Sequence, residues 1–218
     1  MLDPLRLTIA LTPLGLYFVL IGVLHRRRRP TIVSGARDLA LLGAGTAGLA
    51  LVGPIELFMP RSASIAELGP YLWAMLLTLY SLCVSLAALA AKPRLVIYGS
   101  LPWADLRIAI AAAVGELDSE ARWAGTTVSL PHLQIEFYLD WSAGQATTVL
   151  TATTRHQNLA AWQRLHQSLA GHLPKRTERS WCALGWLAAG GALLAIAVRL
   201  IATRGNEMIE RLYDVLHW

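Results

Sequence analysis

The chain has 218 residues, 55% of them hydrophobic and only 15% charged, with a mean hydropathy of +0.47. A soluble domain carries about 25% charged residues, so this composition excludes a disordered protein, a disulfide scaffold and an ordinary cytosolic enzyme. The net charge of +5 does not point to nucleic acid, because the basic residues gather at the edges of long apolar runs, where they act as topology signals.

The first apolar run, about 5–24, is long enough to cross a bilayer, which takes about 20 helical residues. It follows Asp3 rather than a basic segment and ends in four arginines rather than a small-residue cleavage site. It therefore reads as a retained span and not as a removed signal peptide. Arg26, Arg27, Arg28 and Arg29, with Arg37 against Asp38, give the next loop a charge of +4. An excess of Lys and Arg marks a cytoplasmic loop, which places the N-terminus outside. The same arginines could hold anionic lipid headgroups, but stop-transfer and orientation already account for them.

The second run, about 38–59, contains Gly43-Ala-Gly45-Thr-Ala-Gly48, a match to the GxGxxG pattern. That pattern cradles a pyrophosphate only between a strand and a helix N-terminus, and no βαβ unit surrounds it here. The sequence instead predicts helix packing. Gly43 and Ala47, or Ala44 and Gly48, are four apart and let helices approach closely, which puts this span at the centre of a bundle with no cofactor. Glu56 in this run and Arg199 in the last are the charges inside apolar runs, apart from Arg6 and Asp38 at the very start of theirs. Both lie about one turn short of the outer end. They are expected either to pair across spans two and four, near a kink at Gly53-Pro54, or to snorkel separately to the headgroups.

A near-neutral outer loop, 60–70, leads to the third run, about 71–91, with Tyr71 and Trp73 as interfacial anchors at its outer end. Cys83 in this run and Cys182 at the edge of the next fall at different depths, and no bridge is expected between them.

Residues 92–178 read as a separate cytoplasmic domain. The stretch 95–173 holds four arginines and six acids, and Lys92 and Arg94 on one side and Lys175, Arg176 and Arg179 on the other mark its membrane junctions. Leu95–Tyr98 predicts a strand. Ser100 is the expected cap of a helix that places Leu106, Ile110, Val114 and Leu117 on one face. Strands follow at 126–130, at 133–139 and, after a hairpin loop at 142–145, at 147–154. Asn158 caps a helix burying Leu159, Trp162, Leu165 and Leu169. The order β-α-β-β-β-α predicts a two-layer sandwich. Gln134, Glu136 and Tyr138 alternate with the apolar residues of their strand and mark a candidate partner surface. His132, His156, His166 and His172 lack the i,i+4 spacing of a shared ligand face, so no metal is assigned. No nucleophile elbow or Walker loop is present, and no catalytic residue is assigned.

The fourth run, 181–203, lies in a helix over 179–204 with Trp181 and Trp186 as inner anchors. The tail 205–218 then forms an amphipathic helix, Met208, Ile209, Leu212, Val215 and Leu216 opposing Glu207, Glu210, Arg211 and Asp214. Its acidic polar face suits the outer interface or a docked partner.

The expected fold is an α-helical multipass membrane protein: a membrane domain over 1–91, a small α+β cytoplasmic domain inserted between helices three and four, and a final span. The arrangement is N-out and C-out, and the absence of a eukaryotic sorting signal suggests a bacterial inner membrane. With the lipid bilayer as one partner, and with no nucleic acid, the expected role is a non-enzymatic scaffold, regulator or accessory subunit docking a protein partner or a second copy. The runner-up is a transporter or channel component with Glu56 and Arg199 lining a polar route in an oligomer. A membrane-embedded enzyme comes third.

Overall fold

The computed structural model describes residues 4–58, 69–141, 147–155, 157–174 and 181–216. Among the described residues, three helices are long and apolar enough to cross a membrane: α1 (Pro4–Arg26), α2 (Gly35–Phe58) through its segment Gly35–Gly53, and α6 (Trp181–Leu216) through Trp181–Glu210. A fourth helix, α3 (Gly69–Ala90), has 22 residues, of which Ala74–Ala90 forms the described apolar run. The remaining elements are β1 (Thr31–Ser34), β2 (Arg94–Tyr98), α4 (Trp103–Leu117), β3 (Arg122–Ala124), β4 (Thr127–Leu130), β5 (Ile135–Trp141), β6 (Thr147–Ala152) and α5 (Leu159–His172). The chain divides into two compact units, Met1–Leu20 with Ala40–Ala87 and Trp186–Trp218, and Ile21–Leu39 with Ala88–Gly185.

In the first unit glycines set the helix contacts. A Cβ on Gly48 would lie 2.1 Å from the Ile9 carbonyl oxygen, and one on Gly45 would lie 2.6 Å from Tyr17 Cβ, so α2 packs directly on α1. Pro13 lies inside α1 and has no N–H for the Ile9 carbonyl four residues back. Gly48 turns a Cα–H toward that oxygen, a weak compensating donor. Gly43 faces the other way, where a Cβ would lie 2.7 Å from Val84 Cγ1 of α3. Beside it Tyr80 of α3 donates to the Gly43 carbonyl at 2.7 Å and lies 2.9 Å from Thr46 Oγ1. On the far side of α1, Gly15 and Gly190 bring α6 into backbone contact, a Cβ on Gly190 lying 2.8 Å from the Gly15 carbonyl oxygen. Phe18 and Trp186 meet edge to face one turn away. Both α1 and α2 therefore have a helix on either side. Leucines such as Leu77, Leu82 and Leu86 of α3 point outward, as residues facing lipid do.

Helix α6 is helical in its dihedrals except at Arg204 (φ −131°, ψ 22°). This break falls where the sequence passes from apolar to mixed polarity.

The second unit is a six-stranded, wholly antiparallel sheet of order β1-β2-β6-β5-β4-β3. Alternation puts Leu95, Ile97, Val128, Leu130, Ile135, Phe137, Leu139 and Leu150 on one face, where they close over Leu106, Ile110 and Val114 of α4 and Trp162, Leu165 and Leu169 of α5. Burying this cluster is what holds the two layers together. Asn158 caps α5 as expected, its side chain accepting from the Ala160 and Ala161 N–H groups at 3.1 and 3.3 Å.

The structure corrects the sequence reading in four places, the first being Leu159, expected on the buried face of α5 but 66% exposed in its first turn. The sheet has two strands beyond the expected four: β1, from the arginine-flanked stretch read as a loop, and the short β3. Ser100 does not cap α4: the helix starts at Trp103, and Pro102 stands at the cap position without a side-chain bond. A proline disfavours helical dihedrals in the residue before it, so the helix cannot reach back to Ser100. Gln134 lies in the Pro131–Gln134 turn with φ 54°, one residue before β5 begins. The expected hairpin loop at 142–145 lies outside the described residues.

Candidate docking face

The sheet's second face carries Thr31, Val33, Arg94, Val96, Tyr98, Thr147, Val149 and Thr151 on one half, and Asp140, Tyr138, Glu136, Ser129, Thr127 and Arg122 on the other. The two halves have different fates.

The β1–β2–β6 half is closed by the chain's own helix ends. His25, in the last turn of α1, is 5% exposed. Its Nδ1 lies 2.8 Å from the Ile21 carbonyl and its Nε2 2.9 Å from Thr147 Oγ1. In the neutral ring Nδ1–H donates to the carbonyl, and Nε2 accepts the threonine proton. The ring stands edge-on to Tyr98, centroids 5.4 Å apart. The Tyr98 hydroxyl donates to Asp38 Oδ1, in the first turn of α2, and Asp38 Oδ2 accepts from Arg94 Nη2 at 2.9 Å. Asp38 also sits where a helix N-terminus favours negative charge. The Arg94 stem crosses Gly35 so closely that a Cβ there would lie 2.0 Å from Arg94 Cγ. Arg94 Nε is buried with no hydrogen-bond partner among the described residues. His25 is held by a backbone carbonyl and stands against Tyr98, so the group acts as a clasp between the helix ends and the sheet.

The β5–β4–β3 half is open. Glu136 and Tyr138 are exposed, with Tyr138 at 40%. Glu136 is braced at its carbonyl by Gln157 Nε2 (2.6 Å) and the Thr153 N–H (3.0 Å), and at its carboxylate by the Thr153 hydroxyl (3.0 Å). The turn holding Gln134 is fixed by Asp118, which follows α4. Its buried carboxylate accepts from the Glu120 N–H, the His132 N–H and His132 Nδ1, each at 2.9 Å. The hydrogen bond with His132, then the two backbone N–H groups, outweigh burial and hold the Asp118 carboxyl below the ordinary range. The same bond, with the charges of Asp118 and Glu120, raises the His132 imidazole.

The other sequence-chosen residues lie elsewhere. Arg26, Arg27, Arg28 and Arg29 are all exposed at the end of α1. Gly43 and Gly48 face different neighbours, α3 and α1, while Ala44 and Ala47 lie between them on α2. The Glu56 side chain, and with it the expected pairing to Arg199, falls outside the described residues. Arg199 lines an open groove with Pro4, Leu7, Ile196, Leu200, Thr203 and Arg204. His156 is outside the described residues, and His172 Nδ1 lies 2.9 Å from the Ser168 carbonyl. Neither Cys83 nor Cys182 is in a disulfide. Among the described residues no three His, Cys, Asp or Glu side chains gather as a metal site.

The clasp was missed by reading the sequence. Its available signals were a histidine ending an apolar run, one acid among many arginines, and the β-branched Thr31-Ile-Val33. Comparison of the chain with protein-family models, with curated proteins and with solved structures gives no match.

Proposed function

We propose that this chain is a non-enzymatic, multipass membrane scaffold or accessory subunit that holds its sheet at the cytoplasmic face and offers the open half of that sheet to a protein partner. The observation that carries this reading is connectivity. The end of α1, the start of α2, the end of α3 and the start of α6 all belong to the same compact unit as the sheet. Four helices that each send one end into one unit fit a four-span, N-out and C-out arrangement. The arginine run and the Lys92–Arg94 and Lys175–Arg179 flanks then fall on the cytoplasmic side. A sheet tethered by the chain at four points is confined near the membrane, which reduces the ordering cost of docking.

The purified full chain, tagged and taken from native membranes in mild detergent, tests this. A stoichiometric partner that is lost when Gln134, Glu136 and Tyr138 are all changed to alanine is the expected result. Retention of that partner by the triple variant, or recovery of the chain alone, would count against the reading.

A further inference from the structure

The groove beside Arg199 combines two chemistries. Pro4, Leu7, Ile196 and Leu200 give it an apolar wall, Arg199 and Arg204 two permanent positive charges, and among the described residues none of the lining is acidic. The Thr203 hydroxyl donates to the Arg199 carbonyl at 2.8 Å, so the donors left for a ligand are the guanidiniums.

Residues five apart on an α-helix point about 140° away from each other. Ile196, Leu200 and Thr203 lie between those two directions, so Arg199 and Arg204 flank the groove from either side. Guanidiniums match phosphate oxygens in a bidentate fork, and an apolar wall leading to such a pair fits a chain-bearing phosphate better than a free one.

We propose that this groove binds an anionic phospholipid, its phosphate between Arg199 and Arg204 and its acyl chain along Leu7, Ile196 and Leu200. The described lining offers two guanidiniums and no carboxylate for the ammonium of a zwitterionic headgroup, so a phosphatidylglycerol-type lipid is selected over phosphatidylcholine. The proposal rests on the membrane placement of α1 and α6 and is independent of what the sheet docks.

The test is thermal unfolding of the full chain in neutral detergent, titrated with phosphatidylglycerol, phosphatidylcholine or inorganic phosphate. Phosphatidylglycerol alone should raise the midpoint, and R199Q/R204Q should raise its half-saturating concentration at least tenfold. The control R155Q/R164Q, at two exposed arginines of the sheet-bearing unit, should leave that concentration unchanged. Equal shifts from both lipids, a shift reproduced by inorganic phosphate, or an unchanged response in R199Q/R204Q would overturn the proposal. Should R199Q/R204Q fail to fold, a photoactivatable phosphatidylglycerol analogue on the wild-type chain decides. Labelling of peptides containing Leu7 or Leu200 supports the groove, and labelling confined to other peptides refutes it.

Discussion

His25 Nε2 lies 2.9 Å from Thr147 Oγ1, joining the last turn of an apolar helix to the first residue of a central strand 122 positions later. A side chain buried to this degree makes a lost partner costly, because the remaining polar atom is left without water. Thr147→Val should destabilise the chain by about 1–3 kcal/mol, and His25→Leu by a similar amount. The double variant should cost less than the sum, because removing both partners leaves no orphan. Denaturant unfolding followed by Trp fluorescence checks this; strict additivity would show that the two side chains do not interact.

Gly35 and Arg94 make a steric prediction. Gly35→Ala places a methyl in the Arg94 stem, so Arg94 must move and its ion pair with Asp38 must open. A loss of about 1–3 kcal/mol is expected, and most of it should disappear in the Arg94→Ala background, where the obstructing atoms are gone. An equal loss in both backgrounds would place the cost in the α2 backbone instead.

Neighbouring glycines in α6 should respond with opposite signs. A Cβ on Gly190 meets the Gly15 carbonyl oxygen and the Val19 backbone nitrogen, each at 2.8 Å, whereas one on Gly191 meets nothing within 4 Å. Gly191→Ala should therefore stabilise the helix by roughly 0.5–1 kcal/mol. Gly190→Ala should push α1 and α6 apart and lower stability by about 1–3 kcal/mol. Melting midpoints of the two variants in one detergent settle the order.

The Asp118–His132 pair gives a pH dependence with a definite sign. His132 is raised above 6.5 in the folded chain, so its contribution is complete below that value and fades as pH rises through the raised one. Asp118 is lowered below 3.8, so its contribution is complete above 3.8 and fades as pH falls through the lowered one. The pair stabilises most between these limits. The midpoint difference between wild type and His132→Ala should be largest near pH 5 and shrink toward both extremes; a difference that grew above pH 8 would contradict the pairing.

What could be read from the sequence was local. The Asn158 cap, the alternation of Ile135, Phe137 and Leu139, the apolar runs and the change of polarity at Arg204 each arise within a few residues. The strand Thr31–Ser34 could not be read that way. Four residues after a run of arginines carry almost no period, and their partners, Leu95–Tyr98, lie about sixty positions on. The clasp was hidden for the same reason, since His25 and Asp38 gain their meaning only when β2 and β6 are laid beside them. Gln134 was placed on the strand by alternation, which cannot register that a positive φ closes the preceding turn.

The account depends most on the sheet lying on the side opposite the loop 60–70. Single cysteines at Tyr138 and at Ser64, in a chain whose Cys83 and Cys182 have been changed to alanine, can be challenged with a membrane-impermeant maleimide in right-side-out and inside-out vesicles. The account predicts that the cysteine at 138 labels only in inside-out vesicles and the one at 64 only in right-side-out vesicles. Labelling of position 138 from the right-side-out face would contradict it.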